Sequence, residues 1–280
     1  MKIRNNYGEL VEFDPTKLES SLRNAGAAEK DIQTIVSTIT PKCFEGISTK
    51  EVYKMAFDAL KSLSNSVAAR YSLKKALLDL GPAGFYFEQW ISRVFQSIGY
   101  QTETGKHIKG HSVTHEADVI AHKDNKTYWM ECKFRNATET KISVTTPMYV
   151  LTRIKDISGI DYQLFEKKVQ FTDGWLVTNA HFTSDSVTLG EYYNLKMLSW
   201  NHPKNMGLKN LVDVNLLYPV TCLTTISETQ EKYLLEKGCL LVKDLLDDPQ
   251  YIALLKLNKE KEKELLQEVH ELMTIQKIAE

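Results

Sequence analysis

The segment HEADVIAHKDNKTYWMECKF, residues 115–134, decides how the central part of the chain folds. It contains two strand-like stretches, 116–121 and 127–134, in which apolar and polar residues are mixed at short range. Between them lies a polar turn around Asp124-Asn125. A polar turn between two strand-like stretches predicts a β-hairpin.

Acidic side chains face one another in this predicted hairpin. Pairing about the turn puts Asp118 opposite Glu131 and Glu116 opposite Lys133, and alternation along the strand puts Glu131 and Lys133 on the face of Asp118. Opposed carboxylates destabilise a sheet, whereas Mg²⁺ binds carboxylates and keeps several waters. Lys133 could orient or deprotonate a metal-bound water. The alternative is a surface hairpin with an ion pair between Glu116 and Lys133.

A further carboxylate, Glu88, lies on a helix predicted over residues 85–98. Helical spacing places the apolar residues of this segment on one stripe, namely Phe87, Ile91, Val94, Phe95 and Ile98. Glu88 lies at the edge of the stripe and can point towards a sheet packed against the helix. The alternative is a solvated glutamate.

Strands alternate with helices through the rest of the central region. The pattern predicts a helix near 148–170, a strand at 175–178, a helix at 183–194 and a strand at 196–200. This alternation predicts an α/β fold with helices packed on a sheet. The histidines at 107, 111 and 115 have the spacing of metal ligands on a helix, but Gly105 and Gly110 make a helix unfavourable there.

The central region, about residues 83 to 220, resembles the Mrr-like branch of the PD-(D/E)xK restriction-endonuclease superfamily. The residues that carry the resemblance are Phe87-Glu88, His115-Glu116-Ala117-Asp118, Glu131-Cys132-Lys133-Phe134 and Trp175-Leu176-Val177-Thr178-Asn179. The resemblance implies a restriction-endonuclease-like mixed sheet flanked by helices. It implies Glu88, Asp118, Glu131 and Lys133 as catalytic residues. Of these, Asp118, Glu131 and Glu88 would hold Mg²⁺ or Mn²⁺, and double-stranded DNA would be the substrate.

The N-terminal region opens with a hairpin over residues 3–13, with Gly8 at the turn, and continues as helices. Asp14-Pro15 predicts the start of the first helix, and Ser48-Thr49 caps a later one. Residues 66–80 read as a single further helix.

The residues of this region resemble the ATP-cone, a nucleotide-binding regulatory module of ribonucleotide reductases. The matching residues are 8–14, Lys17-Leu18, 46–49 and 72–75. The resemblance implies regulation by ATP or dATP, with Arg4, Lys17, Thr49 and Lys74 as nucleotide-binding residues. The cone's opening turn normally carries a lysine before its glycine, and here it reads Asn5-Asn6-Tyr7-Gly8. A helical module retained for packing or assembly is the alternative.

The C-terminal region, 223–280, shows no strand pattern. Leucine-rich short helices precede a charged amphipathic helix over 259–273. Leu235-x-x-Gly238 resembles helix-hairpin-helix or SAM-like units. Plain helical packing is the alternative.

Net charge, cysteine spacing and the distribution of apolar residues limit these interpretations. The net charge of −1 shows no basic face, so any claim on DNA depends on the site itself. The four cysteines form no Cys-x-x-Cys pair, and the sequence contains neither a signal-peptide pattern nor an apolar run of about 20 residues, so we expect a cytoplasmic protein without a membrane segment.

These features predict three domains: an ATP-cone-like domain at 1–80, a nuclease domain at 81–222 and a helical tail at 223–280. The expected activity is Mg²⁺-dependent hydrolysis of DNA, with homodimerisation left open. The rival is a non-catalytic DNA-binding or nucleotide-sensing regulatory protein.

Overall fold

The computed structural model of the chain describes residues 1–5, 7–81, 84–137 and 140–274. Two compact units are present: Met1–Ala76 together with Val220–Glu280, and Leu77–Pro219. The sequence did not predict that the two ends of the chain form one unit. The break expected at Gly81-Pro82 lies partly outside the described residues, and the three-domain division stays a prediction.

The first unit begins with the expected hairpin. Strands β1 (Lys2–Arg4) and β2 (Leu10–Glu12) are antiparallel, and their turn contains Gly8 at φ 85°. The side chain of Asn5 organises this turn, because it accepts hydrogen bonds from the backbone N–H groups of Tyr7 and Glu9. The Asn6 of the same turn lies outside the described residues.

Five helices follow the hairpin, with a short 3₁₀ turn at Thr40–Lys42 between the second and the third. They are α1 (Pro15–Asn24), α2 (Glu29–Ile39), α3 (Thr49–Leu63), α4 (Asn65–Tyr71) and α5 (Leu73–Asp79). Asp14 caps α1 ahead of Pro15, and Ser48 forms a capping box with Glu51 on α3, as the sequence predicted. The single helix predicted over 66–80 is wrong: Ser72 separates α4 from α5.

The second unit is built on a mixed five-stranded sheet. Its strands are β3 (Gln101–Lys109), β4 (Thr114–Lys123), β5 (Lys126–Lys133), β9 (Phe171–Thr178) and β11 (Lys196–Leu198), and the order across the sheet is β11-β9-β5-β4-β3. The pairs β11–β9 and β9–β5 are parallel, and β5–β4 and β4–β3 are antiparallel. The predicted mixed α/β architecture is therefore present.

The turn between β4 and β5 has the predicted centre. Asp124 and Asn125 have φ values of 51° and 59°, as a two-residue turn with both residues left-handed requires. The pairing from Lys123↔Lys126 to Val119↔Met130 follows from this turn and matches the predicted register.

Helices and short strands surround the sheet. They are α6 (Phe85–Ser97), β6 (Lys141–Ile142), α7 (Thr145–Ile157), β7 (Tyr162–Leu164), β8 (Lys167–Val169), β10 (His181–Phe182), α8 (Ser184–Tyr192) and α9 (Leu208–Asn215). The predicted stripe of α6 is buried apart from its last residue, Ile98, and Phe95 meets Trp175 of β9 edge to face. Helix α7 packs closely on strand β9 at Gly174. A Cβ at this position would overlap the side chain of Ile154, so the close contact requires glycine.

The helix predicted near 148–170 is too long. Helix α7 ends at Ile157, and Gly159 then adopts φ 77°. Residues 162–169 instead form the antiparallel hairpin β7–β8, whose turn is made by Phe165 and Glu166 with φ of 53° and 60°.

The C-terminal segment returns to the first unit as helices. After a 3₁₀ turn at Val220–Cys222 come α10 (Glu228–Glu236), α11 (Asp244–Asp247), α12 (Gln250–Leu254) and α13 (Lys259–Leu272). Helix α13 packs against α4, where the guanidinium of Arg70 donates to the carbonyls of Glu271 and Thr274. Among the described residues no helix is long and apolar enough to cross a bilayer.

Candidate functional site

The predicted catalytic residues come from three neighbouring elements. Asp118 lies on β4, Glu131 and Lys133 lie on β5, and Glu88 lies in the first turn of α6. At the start of α6, a Cβ at Gly84 would lie 3.4 Å from the Cβ of Phe134 and 3.7 Å from Oε1 of Glu88. This close approach puts the first turn of α6, and with it Glu88, against the end of β5.

Asp118 lies where β4 and β5 separate. The ladder between these strands ends at Val119↔Met130, and beyond it the backbone N–H of Cys132 donates to Oδ2 of Asp118 at 2.7 Å. A side-chain carboxylate therefore satisfies a β5 amide beyond the end of the ladder. This bond holds Asp118 beside the part of β5 that carries Glu131 and Lys133.

Two predicted cross-strand pairs, Asp118 with Glu131 and Glu116 with Lys133, lie beyond the end of the β4–β5 ladder and are not formed. Because the β4–β5 ladder has already ended, Glu116 pairs with His107 of β3, and Lys133 pairs with Thr178 of β9. Within the described residues no ion pair joins Glu116 to Lys133. The alternative of a surface hairpin stabilised by that ion pair thus has no support.

Burial and neighbouring carboxylates raise the pKa values of Asp118 and Glu88. Burial, then the charge of Glu131, raises the pKa of Asp118 to about 7, although the Cys132 hydrogen bond and Arg153 lower it. Burial, then the charges of Asp118, Glu116 and Glu131, raises the pKa of Glu88 to about 7. Glu131 raises the pKa of both Asp118 and Glu88, and Glu116 raises both as well. We call the three proposed metal ligands the carboxylate cluster: Glu88, Asp118 and Glu131.

Glu131 differs from the other two because a cation contacts it. Burial raises its pKa, and the charges of Arg153 and Lys133 lower it. The indole N–H of Trp129 also lies near Glu131 and lowers its pKa, but it does not have the geometry of a hydrogen bond. Nη1 of Arg153 donates to Oε2 of Glu131 at 3.0 Å.

The sequence did not single out Arg153. It lies on α7. The sequence predicted a helix for this segment but did not predict that a charged side chain of the helix faces the sheet. Its guanidinium also lies 4.4 Å from the ring centre of Tyr149 and 5.8 Å from that of Trp129. The available signal was an arginine one turn after an aromatic residue on an amphipathic helix, which is too common to identify a site.

The three histidines do not form a cluster. His107 lies on β3, His111 follows that strand and His115 lies on β4, so the expectation against a helix is confirmed. Nε2 of His115 lies 2.7 Å from Oδ2 of Asp156, and the backbone N–H groups of Ser112 and Val113 donate to the Asp156 carboxylate, so the β3–β4 turn is tied to α7. These residues have a structural role in the hairpin.

The donor chemistry of the carboxylate cluster suits a divalent cation, since Mg²⁺ and Mn²⁺ prefer carboxylate oxygens. The arrangement is not that of an assembled metal centre. Among the described residues no three His, Cys, Asp or Glu side chains surround a common cation position. One oxygen of Asp118 accepts from Cys132 and one oxygen of Glu131 accepts from Arg153, which leaves each carboxylate a second oxygen.

The predicted nucleotide-binding residues lie in the first unit. Arg4 forms an isolated parallel bridge with Ser48, which caps α3, so its backbone lies beside the helix start at Thr49. Lys17 lies exposed on α1, and Lys74 lies half-buried on α5. The structure thus brings the backbone of Arg4 close to the start of α3 at Thr49.

Comparisons with known proteins identify the class of two segments. Residues 1–79 match the family model of the ATP cone domain, which confirms the N-terminal resemblance and indicates a nucleotide-sensing or regulatory module. Residues 218–273 match a family model described as AF1548-like, C-terminal. Neither match falls on the carboxylate cluster, and the resemblance of the tail to helix-hairpin-helix units stays a prediction.

Two comparisons find similarity over longer stretches of the chain. An uncharacterized protein of Archaeoglobus fulgidus is 27% identical over 156 residues, which are 56% of this chain and 83% of that protein. The crystal structure of the protein of unknown function AF1548 superposes with a TM-score of 0.52 at 24% identity and covers 67% of this chain and 97% of that one. The second similarity concerns the fold alone.

Proposed function

We propose that the second unit is a metal-dependent endodeoxyribonuclease of the restriction-endonuclease-like class. The observation that carries the proposal is the convergence of Glu88, Asp118 and Glu131 at the point where β4 and β5 separate, with Lys133 two residues beyond Glu131 on the same strand. A fold rarely retains three partly buried carboxylates that repel one another unless another group compensates the charge. This arrangement favours a catalytic role over a structural one.

In the proposed reaction, the oxygen of a water molecule forms a bond to the phosphorus of a DNA phosphodiester while one phosphorus–oxygen ester bond breaks. Asp118 and Glu131, with help from Glu88, would hold Mg²⁺ or Mn²⁺, which supplies charge stabilisation and lowers the pKa of a bound water. Lys133, on the same face of β5 as Glu131, would orient the attacking water. The water loses one proton, and the departing oxygen takes one up.

In the metal-free protein burial and neighbouring carboxylates raise the pKa of Glu88 to about 7, and a bound divalent cation would lower it and favour the ionised form of Glu88. It lies on α6, whereas Asp118 and Glu131 lie on the sheet, so it approaches the cluster from a separate element. We assign it an auxiliary role at the metal.

The test is plasmid nicking together with calorimetry. Wild-type protein should nick supercoiled DNA with Mg²⁺ or Mn²⁺, stop with EDTA, and bind Mn²⁺ in a manner that Asp118→Asn abolishes. Asp124→Asn, in the exposed turn of the same hairpin, is the matched control and should keep both properties. A wild-type protein that binds DNA without cutting it would favour the non-catalytic alternative.

The ATP-cone match supports a second, compatible function, which is regulation by ATP or dATP. The first unit provides Arg4 beside the start of α3, but its opening turn is organised by Asn5 and not by a lysine. A phosphate site that lacks one charge-assisted contact loses about 1.5 to 3 kcal/mol, which is roughly tenfold to hundredfold in affinity.

We therefore expect ATP to bind more weakly than micromolar, and Arg4→Ala to weaken it further. Calorimetry with ATP and dATP measures this, with Lys54→Ala on the exposed surface of α3 as control. A micromolar or tighter dissociation constant would show that other cations of the first unit replace the lysine.

A further inference from the structure

Arg153 contacts the carboxylate cluster with part of its guanidinium. Nη1 donates to Oε2 of Glu131 at 3.0 Å and to the carbonyl oxygen of Glu116 at 3.1 Å. The planar group also lies 4.4 Å from the ring centre of Tyr149 on the same helix. Arg153 is thus a cation that belongs to the chain and contacts one of the proposed metal ligands.

The guanidinium of Arg153 has unused hydrogen-bonding capacity. Its Nε is buried, and among the described residues no acceptor contacts it. Because a guanidinium has five N–H donors in a fixed fork, it matches the two oxygens of a phosphate or carboxylate. Only Nη1 donates to Glu131, so the pair lacks the second, parallel hydrogen bond that a guanidinium can form with a carboxylate.

Tyr149 can support more than one position of this side chain. Its ring is about half exposed, at 48%, and it lies one helical turn before Arg153. Stacking on an aromatic face is attractive without fixing the direction of the N–H groups. The guanidinium can therefore rotate on the ring and keep this contact.

We propose that Arg153 is a resident counter-ion that alternates with the divalent cation: it neutralises Glu131 before the metal binds, and it then turns to a phosphate of the DNA strand. The inference rests on the proposed function. A metal beside Glu131 supplies the positive charge that Arg153 supplied, and two cations on one carboxylate repel each other. The released fork, still stacked on Tyr149, gains an anionic partner when DNA arrives.

The proposal gives Arg153 opposite effects on two measurements. Arg153→Met removes the competing charge, so Mn²⁺ should bind the free protein about tenfold more tightly by calorimetry. The same substitution should weaken DNA binding measured with Mn²⁺ in the Lys133→Ala background, which keeps the proposed metal ligands and cleaves slowly, and should reduce the slope of log affinity against log salt by about 1. A residue that merely stabilises the fold would not tighten metal binding.

Lys155→Met is the matched control, because Lys155 is an exposed cation on the same helix. It should leave Mn²⁺ affinity unchanged. Arg153→Lys retains the charge without the fork, so Mn²⁺ affinity should stay near wild type while DNA binding falls. This variant also tests the proposal if the methionine variant fails to fold.

The outcomes separate this inference from the proposed function. Wild-type protein that binds Mn²⁺, with Arg153→Met equal or weaker, overturns the exchange and leaves the nuclease proposal intact. Wild-type protein that shows no Mn²⁺ binding at millimolar concentration overturns both. Tighter metal binding with unchanged DNA binding overturns the second half of the exchange.

Discussion

The two units bury carboxylates in different ways. In the first unit, Glu268 is 1% exposed, and it accepts from the backbone N–H groups of Thr224 and Thr225 at 2.8 and 3.0 Å and from the Thr225 hydroxyl at 2.6 Å. In the second unit, Asp118 has one such N–H donor, and burial together with the charge of Glu131 raises its pKa to about 7. Burial of a carboxylate is therefore a weak indication of function. A stronger indication is a buried carboxylate with few hydrogen-bond donors and with other carboxylates nearby.

The largest expected effect tests whether the second unit uses its carboxylates for catalysis. Glu131→Ala and Lys133→Ala should each lower metal-dependent DNA cleavage about 1,000-fold or more, because general acid–base and metal contributions are of that order. The folded state should persist, as judged by circular dichroism. Lys126→Ala, at the exposed start of the same strand, should cut DNA at the wild-type rate. Equal nicking by all four proteins would refute the assignment.

The next effect concerns the buried carboxylate of the first unit, Glu268. Glu268→Ala leaves three donors without their acceptor and should cost about 2 to 4 kcal/mol of unfolding free energy. All four tryptophans lie in the second unit, so their fluorescence reports that unit, whereas far-ultraviolet circular dichroism reports both. The dichroism transition should therefore move to lower denaturant more than the fluorescence transition does.

Glu264→Ala is the control for that measurement, since Glu264 is exposed on the same helix. It should change stability by less than about 0.5 kcal/mol. A Glu268→Ala protein as stable as the control would contradict a structural role for Glu268.

A smaller effect with a defined pH dependence is expected at Asp118. Its pKa of about 7 in the folded protein exceeds its ordinary value, so the folded state binds the proton more tightly than the unfolded state. The free energy of unfolding should therefore fall as pH rises from about 4 to about 7. Asp118→Asn removes this loss and should be about 1 to 2 kcal/mol more stable than wild type at pH 8, with little difference at pH 4.

Fluorescence-detected melts at both pH values, with EDTA and with Mn²⁺, measure this difference. Mn²⁺ should stabilise wild type and not Asp118→Asn, because a ligand raises stability only through the state that it binds. Asp124→Asn should follow wild type throughout. A destabilised Asp118→Asn at pH 8 would mean that its bond to Cys132 outweighs the repulsion.

The smallest effect is expected at a second structural acid of the first unit. Oδ2 of Asp244 accepts from the backbone N–H groups of Leu240 and Leu241 at 3.1 and 2.9 Å. Asp244→Asn keeps one acceptor oxygen and loses the charge, so it should cost about 1 kcal/mol. Circular dichroism with Asp247→Asn, exposed on the same helix, as control would detect it. A gain in stability would contradict a structural role for Asp244 and would indicate that its negative charge destabilises the fold.

Local signals in the sequence predicted the parts of the fold that local chemistry determines. Asp14-Pro15 predicts the start of α1, and Asp124-Asn125 predicts both the turn and the register of β4 and β5. That register placed Asp118 beside the right part of β5. It did not show that the ladder ends at Val119, because the bond between Asp118 and Cys132 depends on how the strands diverge.

The predictions that failed depended on distant contacts or on turns without glycine. Strand β3 was missed because Gly105 interrupts its pattern, and the β7–β8 hairpin was read as helix because Phe165 and Glu166 give no turn signal. Arg153 was missed because its partner, Glu131, lies 22 residues away on a strand. No local pattern reports that the two ends of the chain form one unit.

The composition of the first unit also bears on how the protein is made. Arg70 and its partner Glu271 are separated by 201 residues, so the ribosome finishes α4 long before α13 exists. At about 5 to 20 residues per second, roughly 10 to 40 seconds pass between them. During that interval Arg70 lacks the carbonyl oxygen of Glu271, and the central unit has time to fold first. Synthesis order therefore makes the last helix the step that completes the first domain.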